Sequence, residues 1–223
     1  MKRDIGNYEY AARHQKARVL MEKNNLSALL ITEPTNLFYF TGASYFGEMS
    51  FPRPAVLIIP RKEKSILITH ESHLPIDWDG DIREYRKVGE MPIEIVKKAF
   101  EEIGCKMGRV GAELGREQRL GISYQDFIKV QDALPTISFV DAADIFWQLR
   151  MVKSEAEIAI ITKACKMQDS IFKGTFEAVE TSMILHIEPG CIEKDGIYVL
   201  EEQVLVTESG SKVLSHAPWN LQA

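Results

Sequence analysis

Helix and strand patterns alternate along the first 150 residues, and this alternation constrains the fold more than any other feature. Helices are predicted over residues 8–24, 34–40, 91–104 and 123–134, and strands over residues 26–32, 54–60, 65–70, 82–88, 109–114 and 136–140. Only the charged turn at 61–64 separates the second and third strands, which predicts a hairpin. An alternating order predicts an α/β domain with a mixed sheet and flanking helices. In the first helix, the apolar residues Ala11, Ala12, Val19 and Leu20 indicate the face that it would bury.

A change of pattern near residue 150 marks a boundary, so the predicted domains are 1–150 and 151–223. Ser154 and Glu157 form an S-x-x-E capping box, which predicts that a long helix begins at about residue 155 and continues past residue 170. Apolar residues then recur at steps of three and four, and we interpret them as core packing: Ile158, Ile161, Cys165, Phe172, Phe176 and Val179.

Two strand-like segments follow, at 180–194 and 197–208, and the turn dipeptide Asp195-Gly196 predicts a hairpin between them. If the loop holds only those two residues, Glu188 faces Gln203 and becomes a diagonal neighbour of Glu201 on one face. His186 then points to the same side. A one-residue bulge at 189–190 would instead put the two glutamates on opposite faces.

Two carboxylates that converge on one face repel each other unless a cation or a proton lies between them, so this geometry favours a metal ion. The alternative is that Glu188 and Glu201 are ordinary surface acids at strand ends. A lone histidine such as His186 is more often a packed or surface residue than a ligand.

Composition excludes several classes of function. A net charge of −5, with no basic cluster, argues against nucleic acid as a partner. The three cysteines, Cys105, Cys165 and Cys191, have no C-x-x-C or Cys/His spacing, so the sequence suggests neither a zinc finger nor a disulfide framework. The N-terminus has no apolar signal-peptide core, and the apolar runs are too short to span a bilayer. We therefore expect a globular cytoplasmic protein without membrane partners.

Three motifs carry a resemblance to a known family. SMILHIEPG followed by VLEEQVLVTESGSKVL, LRMVKSEAEI, and SALLITEPTNLFYFTG resemble, in order, the end of the catalytic domain, the domain joint and the N-terminal domain of one family. This is the creatinase, aminopeptidase P and prolidase family of pita-bread metalloenzymes. The resemblance implies a creatinase/prolidase-type N-terminal domain followed by a truncated pita-bread remnant.

The resemblance also implies a chemistry. Peptidases of this family hold two divalent ions, commonly manganese, cobalt or zinc, with two aspartates, a histidine and two glutamates, and they hydrolyse the bond before proline. Glu188 and Glu201 match the two glutamates, and His186 is a possible metal ligand or neighbour. Asp169 and Asp195 do not fit the aspartate positions, so the chain resembles a member without the middle of the catalytic domain. Such a chain should lack activity and should expose apolar helix surface.

Two functions therefore remain open. The first is membership of a hydrolase family that acts on proline-containing peptides, or on small creatine-like or ectoine-like amides. The second is a non-catalytic recognition or dimerisation protein, since the N-terminal domain of intact relatives packs near the active site of a partner subunit. Tyr45, Phe46 and Arg53 are the candidate contacts in a homodimer, although an ordinary surface loop also explains them.

Overall fold

A computed structural model describes residues 6–42, 53–70, 78–176, 181–187, 190–193, 196–199 and 202–214. Its contacts divide the chain into two compact units. One unit is Gly6–Val152, and the described residues of the other start at Lys153. Each unit is described by itself.

The unit Gly6–Val152 is built on a six-stranded sheet with the strand order β4-β3-β2-β1-β5-β6. Its elements, in chain order, are α1 Asn7–Lys23, β1 Ala28–Ile31, α2 Pro34–Thr41, β2 Val56–Pro60, β3 Ile66–His70, β4 Asp81–Tyr85, α3 Ile93–Glu102, β5 Gly108–Ala112, α4 Tyr124–Ala133, β6 Ile137–Asp141 and α5 Ala143–Met151. Strand β2 pairs antiparallel with β1 and with β3, whereas the other neighbouring pairs are parallel. The predicted mixed sheet and the β2–β3 hairpin are confirmed.

Helices cover both faces of this sheet because successive strand residues point to opposite sides. Ala28 and Leu30 pack into one core with residues of α3 and α4, such as Phe100 and Phe127. Leu29, Ile31 and their neighbours pack into a second core with residues of α1, α2 and α5. Burial on both faces explains why β1 reads as a continuous apolar run.

Helix α1 buries a face different from the predicted one. Ala11, Ala12 and Val19 are exposed, and Leu20 is half-buried. The buried face consists instead of Tyr10, Arg13, His14, Ala17 and Met21. Polar side chains can take this face because they find partners there: a guanidinium N–H of Arg13 donates to the carbonyl oxygen of Tyr39 at 2.6 Å. The positions of the apolar residues alone therefore predicted the wrong buried face of α1.

Helix α5 is absent from the elements predicted from the sequence. This helix buries Ala143, Ile145, Phe146 and Leu149, which recur at helical spacing in the short run after β6. The Tyr39 hydroxyl donates to the carbonyl oxygen of Leu149 at 2.9 Å, which ties the end of α5 to α2.

The second unit opens with the predicted long helix, α6 Glu155–Phe176, which is unbroken past residue 170. The capping box is confirmed: the Ser154 N–H donates to Glu157 Oε2 at 2.8 Å, and the Glu157 N–H donates to Ser154 Oγ at 3.2 Å. The prediction that the apolar residues of α6 pack into a core is wrong for the first part of the helix. Ile158 is 52% exposed, Ile161 is 38% exposed and Cys165 is exposed, which fits the expected exposure of apolar helix surface. The side chains of Phe172 and Phe176, and Val179, lie outside the described part of the chain.

Short strands follow α6: β7 Ile184–Ile187, β8 Gly190–Glu193, β9 Gly196–Val199, β10 Glu202–Thr207 and β11 Gly210–Val213. They form a three-stranded sheet, β11-β10-β7, and a two-stranded sheet, β8-β9. The antiparallel hairpin is confirmed, but its predicted register is wrong. Gly196 lies in β9 opposite Glu193, because the loop closes one position earlier than the turn dipeptide suggested. Strand β11 was not predicted.

Candidate functional site

The two predicted metal ligands, Glu188 and Glu201, lie outside the described residues. Of the predicted cluster, only the backbone of His186 is described, and it lies in β7 opposite Gln203. The predicted pairing of Gln203 with Glu188 is therefore wrong, since His186 occupies that place in the ladder. Whether the two glutamates share a face stays a prediction.

Of the three candidate partner contacts, only Arg53 belongs to the described residues. Tyr45 and Phe46 lie outside the described residues, while Arg53 is half-buried just before β2. Their role in association stays a prediction.

Within the described unit Gly6–Val152, a buried polar cluster lies at the carboxyl edge of the sheet. Thr32 and Glu33 follow β1, and Glu113 follows β5 directly. Because β1 and β5 are parallel neighbours, their carboxyl ends meet at the same edge. Glu33 also begins α2, where its side chain accepts the Asn36 N–H at 2.9 Å as an N-cap.

Glu113 stands at the centre of this cluster, with 1% of its surface exposed. Its Oε2 accepts the N–H of Thr32 at 2.8 Å, the hydroxyl of Thr32 at 3.1 Å and the N–H of Glu33 at 2.9 Å. Its Oε1 accepts Nδ2 of Asn36 at 2.7 Å. Four donors thus converge on one carboxylate, which joins the end of β5 to the turn between β1 and α2.

Burial raises the pKa of Glu113 to about 7. Removal from water disfavours the charged form, and hydrogen bonds from Asn36, Thr32 and Glu33 offset part of that effect. The nearby Glu33 carboxylate raises the pKa further. Glu113 therefore changes charge near neutral pH while it holds a structural junction.

A cleft of about 270 Å³ adjoins the cluster. Its lining includes Glu33, Asn36, Gln118, Arg119, Trp147 and Arg150. Arg150 Nη1 donates to Oδ1 of Asn36 at 3.0 Å, so Asn36 links Glu113 to this cleft. We call it the Arg119 cleft.

A second cleft, of about 350 Å³, lies beside α1 and is lined in part by Tyr10, His14, Arg18 and Trp78. Burial lowers the pKa of His14 to about 4, against the raising effect of its hydrogen bond with the Phe40 carbonyl. Because Nε2 lies 2.9 Å from that carbonyl oxygen, Nε2 carries the proton, and Nδ1 accepts from Ser65 Oγ at 2.8 Å. His14 is thus a neutral structural residue at pH 7.

The Glu113 cluster is absent from the sites predicted above, although the sequence carries a signal for it. Polar residues follow two predicted strands at once, with Thr32 and Glu33 after the first and Glu113 within the end of another. If the two strands are parallel neighbours, those residues must meet. The sequence did not indicate which strands are neighbours.

The described residues contain no group of three or more histidine, cysteine or acidic side chains that could hold a metal ion. They therefore do not supply a donor set that fits a metal pair. No helix within the described ranges is long and apolar enough to cross a membrane.

Comparisons with known proteins bear on the same unit. Residues 13–152 match the model of the creatinase/prolidase N-terminal domain. The chain is 28% identical to an Xaa-Pro dipeptidase of Pyrococcus horikoshii over 162 residues, which cover 71% of this chain and 40% of that protein. It is 26% identical to a creatinase of a Bacillus species over 175 residues, covering 77% of this chain and 40% of the relative. The chain thus spans less than half of these relatives.

Solved structures share the fold. A prolidase from Thermococcus sibiricus superimposes with a TM-score of 0.69 at 15% identity, over 91% of this chain and 67% of that one. An X-Pro aminopeptidase from Thermotoga maritima gives a TM-score of 0.63 at 18% identity, over 85% of this chain and 65% of that one.

Proposed function

Because the chain belongs to the creatinase/prolidase N-terminal domain family, we propose that its ancestral function is metal-dependent hydrolysis of the bond preceding proline. The match over residues 13–152 carries this proposal. Relatives named Xaa-Pro dipeptidase support it, and one of them covers 75% of this chain. A similar creatinase supports small amides as a second substrate class. The proposed location is cytoplasmic, without nucleic-acid or membrane partners.

In this proposal Glu188 and Glu201 are metal ligands, and His186 is a third ligand or a neighbour of the site. The ion would be manganese, cobalt or zinc, and a bound divalent ion lowers the pKa of a water molecule so that it can attack an amide. Two matched carboxylates are too few to fix a metal pair. We therefore expect no appreciable Xaa-Pro hydrolysis by the 223-residue chain.

An assay tests this expectation directly. The purified chain is incubated with a proline-containing dipeptide and with a longer Xaa-Pro peptide, each with and without added manganese. Glu188→Ala is compared with Glu193→Ala, a matched change in the neighbouring strand β8. Metal-dependent turnover that Glu188→Ala abolishes and Glu193→Ala retains would contradict the inactive assignment and would support the ligand role.

A non-catalytic recognition or dimerisation role is the second candidate. The family match ends at residue 152, where the first compact unit also ends, and that unit has its own two-sided core. Such a unit can associate without a catalytic domain. We propose that Tyr45, Phe46 and Arg53 contact the partner in a homodimer.

Sedimentation velocity tests the second role. The wild-type chain should sediment as a dimer at micromolar concentration, and a variant with Tyr45, Phe46 and Arg53 changed to Ala should sediment as a monomer. Arg116→Ala is the control because that side chain is 94% exposed on another loop. A monomeric wild-type chain, or a dimer that the triple variant retains, would exclude these contacts.

A further inference from the structure

The Arg119 cleft lies where ligands bind in many α/β proteins, outside the carboxyl ends of parallel strands. One wall is the segment between β5 and α4, and this wall lies in close contact with the end of β1. The Gly121 N–H donates to Thr32 Oγ1 at 3.1 Å. A side chain at position 121 would place its Cβ only 1.9 Å from the Thr32 carbonyl oxygen. The close approach of Gly121 to Thr32 therefore fixes the position of the β5–α4 segment beside the cleft.

The cleft carries two charges of each sign. Arg119 and Arg150 contribute guanidinium groups, and Glu33 and Glu117 contribute carboxylates. Such a balance does not favour a simple anion or a simple cation. It favours a molecule that carries both charges close together.

The side chains of Glu33 and Arg150 are held by other contacts, whereas that of Arg119 is exposed to a ligand. Glu33 is 6% exposed and caps α2, and Arg150 donates to Asn36. Arg119 Nε lies 3.8 Å from Glu33 Oε1, and the Arg119 side chain is 74% exposed. When Arg119 turns its guanidinium to a carboxylate in the cleft, it gives up only this long ion pair with Glu33.

Glu117 adds a second indication. Its φ of 58° is left-handed, a conformation that is strained for a residue with a Cβ. Asparagine or glycine would adopt this turn more readily. A glutamate here places a carboxylate on the lining at an energetic cost.

The remaining wall is apolar. Trp147 lies on α5 beside the buried Phe146, and 41% of the Trp147 surface stays exposed. A half-exposed indole gives a flat surface for an aliphatic side chain. The volume of about 270 Å³ suits an amino acid or a dipeptide, because pockets for drug-sized ligands begin at about 300 Å³.

We propose that the Arg119 cleft binds a small zwitterion with an apolar side chain, namely a free amino acid or a dipeptide. Arg119 and Arg150 hold its carboxylate, Glu33 and Glu117 hold its ammonium group, and Trp147 packs against its side chain. This site lies wholly within Gly6–Val152 and does not depend on the proposed hydrolysis.

Binding is measured on the full chain, labelled with ¹⁵N and without metal, by titration with L-leucine. The reporter is the indole N–H signal of Trp147, assigned by its loss in Trp147→Phe. Leucinamide lacks the carboxylate, and N-acetyl-leucine lacks the ammonium group. Each analogue should bind at least about tenfold more weakly than leucine, as expected when a charge-assisted hydrogen bond is lost.

Arg119→Ala should weaken leucine binding by about tenfold or more, whereas Arg109→Ala, a change of an exposed arginine in β5 that does not line the cleft, should not. Arg119→Lys should recover part of the affinity, because it retains the charge but not the planar fork. Absence of leucine binding, equal binding of leucine and both analogues, or an unchanged affinity in Arg119→Ala would overturn the proposal. Leucine cannot be hydrolysed, so failure here is distinct from failure of the peptidase assignment.

Discussion

Glu113 and Asn36 are hydrogen-bonded at 2.7 Å between Oε1 and Nδ2, although 77 positions separate them in the chain. The contact joins the end of β5 to the first turn of α2. Asn36 Oδ1 in turn accepts from Arg150 on α5, so one amide connects three elements. Both ends of the amide are used, and the orientation of Asn36 is therefore fixed.

Glu113→Gln should change how stability depends on pH. The folded pKa of Glu113 is about 7 and the ordinary value is 4.5, so the native state holds a proton that the unfolded state has released between these values. This residue thus lowers the free energy of unfolding as pH rises from 4.5 to 7, by up to about 3 kcal/mol. The measurement is the urea dependence of hydrogen exchange in β1 and β5 peptides, at pH 5 and pH 7. Identical pH dependence in the wild type and the variant would contradict the raised pKa.

Asn36→Ala should destabilise Gly6–Val152 by about 2–4 kcal/mol, because it removes one buried and one partly buried hydrogen bond and leaves Glu113 short of a donor. Asn24→Ala is the matched control, since the Asn24 side chain makes one exposed hydrogen bond to Leu20. The control should cost less than about 1 kcal/mol. The same exchange experiment measures both, and equal losses would show that the buried amide has no special role.

Local patterns predicted most elements of the fold. The hairpin of β2 and β3 and the capping box at Ser154 depend on residues close in sequence, and both are present. The buried face of α1 and the Glu113 cluster could not be predicted in this way, because they depend on partners far along the chain. Arg13 is buried because the Tyr39 carbonyl is available, and Glu113 because β1 lies beside β5. Strand order is a long-range property that one sequence does not reveal.

Gly121→Ala should open the wall of the Arg119 cleft. Its Cβ would lie 1.9 Å from the Thr32 carbonyl oxygen, and this oxygen belongs to the backbone, so the β5–α4 segment must move. We expect the free energy of unfolding to fall by about 2 kcal/mol or more. Gly89→Ala is the control: its φ of +83° strains an alanine by about 1 kcal/mol, but no atom lies within 4 Å. A loss no larger than that of the control would exclude the close contact.

His14 should remain neutral down to about pH 5, because its pKa is lowered to about 4. An NMR titration of the imidazole C–H signals checks this, with the His14 signal assigned by its absence in His14→Gln. The His14 signal should not shift between pH 8 and pH 5. A midpoint near the ordinary value of 6.5 would show that the ring is not buried in the way described.

The two shifted groups should oppose each other in their effect on stability. Between pH 4 and 6.5 the unfolded state binds a proton at His14 that the native state does not, so His14 raises the free energy of unfolding as pH increases. Glu113 has the opposite sign from pH 4.5 to 7. Between pH 4.5 and 6.5, His14→Gln should make the slope of the free energy of unfolding against pH less positive, and Glu113→Gln should make it more positive.

Glutamine at position 14 can still donate to Phe40 and accept from Ser65, so the His14→Gln comparison isolates the charge. The double variant should lie close to the wild-type slope, measured by the same exchange experiment at pH 4.5, 5.5 and 6.5; changes of the same sign in both single variants would contradict the opposition.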